Sequence, residues 1–116
     1  MGLFNFIKHK KKQYTVTTKL NGNTANGRQK LLAELQQNPS ELKPKLDIRN
    51  GSLSIVVLCG RNQIGTVDSK IVRDIESKYS TSNGLSCDLS IGSDYNIQKD
   101  SSGNLVCVVS LTVIEE

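Results

Sequence analysis

The side chains best placed to do chemistry in this 116-residue chain are its lysines and arginines. Residues 13–73 carry nine of them against four Asp and Glu, whereas residues 74–116 carry two against seven acids. The first part therefore has a net charge of +5 and the second part −5. A basic surface of this kind attracts phosphate groups or an acidic protein. The alternative is that the two parts interleave in space and the charges simply solvate the surface.

No arrangement of residues typical of an active site accompanies these cations. The only histidine, His9, lies in a run of lysines, where a solvated charge is expected rather than a general base. Asp74 and Glu76 are two residues apart on a predicted helix, so their carboxylates do not face one another. The chain also has no glycine-rich phosphate loop of the P-loop or dinucleotide-binding type. We therefore expect a protein that is not an enzyme and needs no cofactor.

The three cysteines, Cys59, Cys87 and Cys107, are an odd number without a C-x-x-C pair or a neighbouring histidine. This pattern predicts neither a disulfide framework nor a metal site. Cys87 and Cys107 fall in the apolar phase of predicted strands, which favours small buried hydrophobic side chains over reactive thiols. A reducing, cytoplasmic location fits this usage.

The first 13 residues are predicted to be a basic and aromatic N-terminal arm, and residues 14–116 a single domain. In the arm, apolar residues precede the lysines, and this order excludes a secretory signal. Gly2 is a poor acceptor for myristoylation, since Phe6 stands where Ser or Thr is needed. Three roles stay open: an anchor on an anionic membrane surface at the inner face, a segment that docks on its own domain or on a protein partner, or plain disorder. The candidate contact residues are Phe4, Phe6, Lys8, Lys10, Lys11 and Lys12.

The elements that position these residues are organised around residues 53–79. The apolar run 53–58 predicts a strand buried on both faces, because a half-buried strand would alternate apolar with polar residues. A turn at 60–62 leads into a short strand over 63–67, and Asp68 is a helix N-cap. The helix that follows has one apolar stripe, consisting of Ile71, Val72, Ile75 and Tyr79.

Before this stretch, strict alternation over residues 14–20 predicts a half-buried strand. A helix is expected over 27–37, with Asn26 as N-cap and Gln29 reaching back to it, and it ends before Pro39. Pro44 restricts the next strand, near residues 45–49, to a sheet edge. Asn50-Gly51 is a strong signal for a hairpin turn into the central strand.

After the second helix, residues 80–84 are expected to be a polar loop and residues 85–91 a half-buried strand. Gly92 bends or bulges this strand before it continues at 95–97. A turn at 100–104 then leads to a long last strand over 105–114. The count is six strands and two amphipathic helices, an α+β fold.

A set of short motifs, in this order and spacing, resembles the HIRAN domain over about residues 14–91. The motifs are Leu20-x-Gly22, Gly27-Arg28-x-x-Leu31-Leu32, Asn50 before an apolar strand, and Gln63-Ile64-Gly65 before an amphipathic helix. The resemblance implies a small, mostly antiparallel six-stranded β-barrel related to the OB fold, with the two helices packed alongside.

In helicase-linked members of that family, the domain binds single-stranded DNA ends through an aromatic and an acidic residue that follow an Asn-Pro pair. The matching segment here reads Asn50-Gly51-Ser52-Leu53, without the Tyr-Asp pair. The stacking ring and the hydrogen-bond acceptor are both missing, so the resemblance does not carry end-specific capture over to this chain.

The leading functional hypothesis is a non-catalytic module that binds single-stranded DNA weakly and without sequence choice, through phosphate contacts. The basic residues flanking the groove implied by the resemblance are Arg28, Lys30, Lys43, Lys45, Arg49 and Arg61. The alternative is an adaptor that binds a protein or an anionic membrane surface through the N-terminal arm.

Overall fold

The computed structural model describes residues 12–25, 27–82 and 84–116, which form two helices and nine strands. The α+β class predicted from the sequence is confirmed. In chain order the elements are β1 (Gln13–Lys19), α1 (Arg28–Gln37), β2 (Leu42–Arg49), β3 (Ser52–Cys59), β4 (Asn62–Thr66), α2 (Ser69–Tyr79), β5 (Ser80–Thr81), β6 (Gly84–Leu85), β7 (Cys87–Ile91), β8 (Asn96–Lys99) and β9 (Leu105–Glu115).

The protein has two main sheets. The long strand β9 is at the centre of one, and the buried strand β3 is at the centre of the other. In the first sheet β9 is central: β1 pairs along one of its edges, and β7 and β8 pair along the other. In the second sheet β3 is central, between β2 and β4. Every pair in both sheets is antiparallel. β5 and β6 form a separate two-residue hairpin where the sequence predicted only a polar loop.

The hairpin between β2 and β3 forms as predicted. Asn50 and Gly51 both have positive φ, 52° and 77°, which is the backbone that a two-residue type I′ turn requires. The central strand is buried on both faces at Ile55, Val56 and Val57. β2 is longer than expected and contains Pro44, which is tolerated because β2 is an edge strand of its sheet.

The start of α1 differs from the prediction. The capping residue is Gly27, with φ at 77° and no side-chain cap, while Asn26 lies outside the described residues. The side chain of Gln29 does not reach back to a cap, because it is bonded instead to the backbone of Leu105 and to the carbonyl of Asn23. The helix ends at Gln37, two residues before Pro39, as expected.

The start of α2 agrees with the prediction. Asp68 is the N-cap, and its Oδ1 accepts a hydrogen bond from the Lys70 N–H at 3.1 Å. Val72, Ile75 and Tyr79 are the buried positions of the predicted apolar stripe.

The strand predicted over residues 85–91 begins later, at Cys87, and breaks after Ile91. It resumes at Asn96 as β8, along the same edge of β9. The register shifts by two residues between β7 and β8, so the segment around Gly92 is a bulge. This confirms the irregularity expected at Gly92.

The core is made of aliphatic side chains from both sheets and both helices. The alternation along β1 and β9 supplies one layer, and α1 and α2 contribute apolar positions that are almost completely inaccessible to water. The largest fully buried side chains are Leu20, Leu32, Ile55, Ile64, Ile75 and Leu111.

The two sheets approach each other at two places. On one side, Asn21 forms an isolated antiparallel bridge with Thr66, with two backbone hydrogen bonds of 2.8 and 3.0 Å. On the other side β2 lies against β7 without strand pairing among the described residues. Apart from this isolated bridge, the described strands pair only within their own sheets, and the six-stranded closed barrel stays a prediction.

Candidate nucleic-acid interface

Two of the predicted cations lie side by side on the outer face of the second sheet. Lys43 is opposite Leu58 and Lys45 is opposite Val56 in the β2–β3 register. Side chains two residues apart on a strand point to the same side, and paired residues share that side. Leu42 and Val57 have the opposite phase and belong to the core. Both lysines are exposed, so their ammonium groups are available to a ligand.

Between the lysines and the next strand lies a partly apolar ledge. Val56 is only 7% exposed although it is outside the main core, with Lys45 and Thr66 as its neighbours across the sheet. Leu58 is half-buried and is flanked by Lys43 and Gln63. Because Val56 is buried, Leu58 is the apolar side chain of this ledge that can contact sugars and bases, while the lysines offer contact to phosphates.

Arg61 lies at the end of the same sheet where β2 begins. It is exposed in the turn between β3 and β4, directly after Gly60, whose φ of 61° requires the left-handed backbone conformation. Cys59 pairs with both Leu42 and Asn62, which places this turn beside the start of β2. Lys43, Lys45 and Arg61 are called the lysine face below.

One cation on this side was missed by the sequence analysis. Lys19 is exposed at the end of β1, two residues before Asn21, and has the same alternation phase. The bridge from Asn21 to Thr66 makes the outer surface continuous from β1 to the second sheet. The strand alternation around Lys19 was visible in the sequence, but the bridge that connects it to β4 was not.

Two of the remaining predicted cations, Arg28 and Lys30, are not brought to the lysine face. Arg28 is half-buried and donates from Nη1 to the Gly22 carbonyl at 2.7 Å, so it fastens the start of α1 to the loop after β1. Lys30 is exposed on α1. Arg49 is the last residue of β2, and its side chain lies outside what the structure describes.

An acidic residue limits the face at its other end. Asp47 follows Lys45 in the same phase of β2 and is opposite Ser54, whose hydroxyl donates to the Asp47 carbonyl. The cationic part of this strand therefore covers Lys43 and Lys45 only, among the side chains that the structure describes.

The tyrosines occupy other parts of the molecule. Tyr79 is in the core, and Tyr14 lies beneath the ammonium group of Lys78, 4.3 Å from the ring centroid. Tyr95 donates from its hydroxyl to the Ser40 carbonyl and accepts from the Ser40 N–H, which fixes the α1–β2 connection. Stacking by these rings therefore does not contribute to the lysine face.

The groups whose pKa is shifted are inside the protein. Burial raises the pKa of the Cys107 thiol to about 11, and burial is also the main reason that the pKa values of Cys87 and Tyr79 are raised. These thiols are protonated at neutral pH and are poor nucleophiles. The predicted burial of Cys87 and Cys107 is confirmed. Within the described ranges, no group of three His, Cys, Asp or Glu side chains is placed to hold a metal ion.

The motifs that carry the HIRAN resemblance meet at the contact between the sheets. Gly65 lies so close to the segment after β1 that an added Cβ would be 2.8 Å from the Asn21 carbonyl oxygen. Leu20, Leu32 and Ile64 are buried in the same core. Asn50 is remote from them, in the β2–β3 turn. Most of these motif residues therefore stabilise the fold.

The predicted contact residues of the N-terminal arm, Phe4, Phe6, Lys8, Lys10 and Lys11, lie outside the described residues. Lys12 is exposed, and its backbone continues the pairing with β9 through Glu115. None of the helices that the structure describes is long and apolar enough to cross a membrane.

No family model, curated protein or solved structure matches this chain, and its resemblance to the HIRAN domain stays a prediction.

Proposed function

We propose that this protein is a non-catalytic module that binds single-stranded DNA weakly and without sequence choice, on the lysine face. The observation that carries the proposal is that Lys43 and Lys45 are exposed on one side of β2, next to the ledge of Val56 and Leu58. Arg61 extends the cationic surface at one end of the sheet, and Lys19 lies beyond the bridge to β1.

The arrangement of the strands supports the same function. The Asn21–Thr66 bridge and the approach of β2 to β7 are what an OB-like barrel of six strands would require: β1, β2, β3, β4, β7 and β9. OB-type barrels bind oligonucleotides on one sheet face and in the adjoining loops. This support is by analogy of fold, and the lysine face supplies the chemistry.

The absence of tyrosine from the lysine face determines the expected strength and selectivity. Phosphate contacts provide affinity without sequence information, and base stacking on aromatic rings adds about 1–3 kcal/mol per base where it occurs. A ligand held by Lys43, Lys45 and Arg61 therefore binds weakly, and its affinity falls as salt is raised.

Fluorescence anisotropy with a labelled single-stranded oligonucleotide, measured over a series of salt concentrations, tests the proposal. The Lys43→Ala/Lys45→Ala variant should bind more weakly, and its slope of log K against log salt should be shallower by about 0.7 for each phosphate that the variant no longer neutralises. The matched control is Lys70→Ala/Lys99→Ala, which removes the same charge from exposed positions on α2 and β8. Binding that is absent at low salt, or an equal weakening in both double variants, would refute the proposal.

Lys30→Ala and Arg61→Ala compare a predicted cation outside the lysine face with one that belongs to it. Arg61→Ala should weaken binding, since this residue belongs to the lysine face, whereas Lys30→Ala on α1 should have a smaller effect. A larger loss of affinity in Lys30→Ala than in Arg61→Ala would indicate that the binding surface is on α1.

A further inference from the structure

A small apolar groove lies where the β2–β3 turn meets α2 and the β5–β6 hairpin. Its volume is about 190 Å³, below the roughly 300–1,000 Å³ of a typical small-molecule site. It has room for one or two side chains rather than for a cofactor. The lining residues are Ile48, Gly51, Leu53, Glu76, Ser80, Gly84 and Leu85.

The groove exists because the core-facing side of β2 emerges from the protein at this end. Along that side Leu42 is 3% exposed, Leu46 is 38% exposed and Ile48 is 70% exposed. Burying an isoleucine side chain stabilises a fold by about 1.5–3 kcal/mol. Ile48 is mostly exposed and therefore makes little of this contribution here. Leu46 and Ile48 lie on the same side of β2, and Ile48 also lines the groove, so together they extend its apolar surface into a candidate contact site.

One acidic side chain lines this groove and a second acidic residue lies near it. Glu76 is half-buried in its wall. The backbone N–H of Glu116 donates to the carbonyl of Ser86, the residue next to Leu85, which brings the acidic end of the chain close to the groove. An occupant with both apolar and basic residues matches this surface better than a purely apolar one does.

The described chain begins close to the same place. Lys12 pairs with Glu115, and Cys87, on the other side of β9, pairs with Glu115 as well. Two strand spacings, about 10 Å, therefore separate Lys12 from the segment that leads to Leu85. The 11 residues before Lys12 can span up to about 36 Å, well beyond this distance.

The composition of residues 1–11 matches the groove and its surroundings. Leu3, Phe4, Phe6 and Ile7 supply apolar side chains, and Lys8, Lys10 and Lys11 supply positive charge. We propose that residues 1–11 dock on their own domain, with a phenylalanine ring in the groove of Ile48, Leu53 and Leu85 and the lysines facing the acids around it. This surface is distinct from the lysine face, so the inference does not depend on DNA binding.

Tryptophan fluorescence tests the docking directly, because the natural chain contains no tryptophan. Phe4→Trp and Phe6→Trp each place one reporter in the full chain. At least one of them should show a blue-shifted emission maximum and an acrylamide quenching constant about half, or less, of that of the same segment as a free peptide. Values equal to those of the free peptide for both variants would overturn the proposal.

Second-site substitutions show whether the groove is the docking surface. Ile48→Asp, at a largely exposed position that leaves folding intact, should return the emission to the free-peptide value. Ile114→Asp, on the outer side of β9, should leave it unchanged. Glu76→Lys should weaken the docking more than Asp74→Lys does, since Glu76 lines the groove and Asp74 is exposed elsewhere on α2. An unchanged emission in both Ile48→Asp and Glu76→Lys would overturn the location.

Two further outcomes would also overturn the proposal. A shift that appears only at high protein concentration would mean that the segment binds a second copy of the chain. A shift that appears only on addition of anionic phospholipid vesicles would mean that it binds a membrane surface instead.

Discussion

The side chain of Asn23 accepts a hydrogen bond at 3.0 Å from the backbone N–H of Cys107, which is 84 residues away in the sequence. The same side chain donates from Nδ2 to the carbonyl of Ile64 at 2.7 Å, and Asn23 is 4% exposed. One buried amide therefore connects β9 of the first sheet to β4 of the second. It lies next to the Asn21–Thr66 bridge, and together these contacts hold the outer surface that carries the lysine face.

Asn23→Ala should strongly destabilise the protein. The substitution leaves the Cys107 N–H and the Ile64 carbonyl without their partner, at a cost of about 1–3 kcal/mol for each buried group. Urea unfolding followed by circular dichroism measures the change in stability. Asn21→Ala is the matched control, because the Asn21 side chain is exposed and its backbone bonds are retained, and it should change stability by less than about 0.5 kcal/mol. Equal effects would show that Asn23 does not connect the sheets.

Gly65→Ala should also destabilise the fold, by about 1–3 kcal/mol. An added Cβ would be 2.8 Å from the Asn21 carbonyl oxygen and 2.9 Å from the Cβ of Leu20, and neither backbone nor core can move easily. Gly92→Ala is the comparison, since its closest contact, at 2.7 Å, is the Asp94 carboxylate on an exposed side chain that can rotate away. Thermal unfolding should give the larger destabilisation for Gly65→Ala, and the reverse order would contradict the close approach at this bridge.

Gln29→Ala should loosen α1 from β9. The Gln29 amide donates to the Leu105 carbonyl and accepts from the Leu105 N–H, both at 2.7 Å, so it imitates the pairing of a neighbouring strand. Its removal should cost about 1–3 kcal/mol and speed hydrogen exchange at the Leu105 amide. The exposed Gln37, at the end of the same helix, provides the control Gln37→Ala, which should alter neither quantity. Unchanged exchange at Leu105 in Gln29→Ala would contradict the prediction.

The three thiols should differ in their reaction with a disulfide reagent at neutral pH. Cys59 is partly exposed, whereas Cys87 and Cys107 are buried and their pKa values are raised by burial. One thiol should therefore react quickly in the native protein and the other two only after unfolding. Mass spectrometry of the labelled peptides identifies Cys59, and early labelling of Cys107 would show that β9 is not the centre of a closed core.

Stability should decline at alkaline pH because the Cys107 thiol, which is buried in the fold, ionises more readily in the unfolded chain. The pKa of Cys107 is 9.0 in its ordinary state and about 11 in the fold, so its protonated form is favoured by folding. The contribution of the Cys107 thiol to the free energy of unfolding is fully present below pH 9.0. It is lost as the pH rises towards about 11, by about 1.4 kcal/mol per pH unit. The free energy of unfolding in urea should fall less steeply over this window in Cys107→Ala than in Cys59→Ala. Parallel slopes for the two variants would contradict the assignment.

The sequence by itself determined the local elements. Alternation identified β1 and β9, Asn50-Gly51 identified the β2–β3 hairpin, and Asp68 identified the start of α2. These signals depend on steric and hydrogen-bonding preferences that act within a few residues, so they can be read from one stretch of chain. The cap of α1 was predicted wrongly because the partner of Gln29 is on a distant strand.

Only the tertiary structure decided which of these elements meet. It separated Arg28 from Lys43 and Lys45, gave Asn23 its two partners, and left Ile48 exposed on the core-facing side of β2. The physical reason is that a side chain's partner across two sheets depends on how the whole chain packs, and the same residue types in the same local pattern are compatible with more than one such packing.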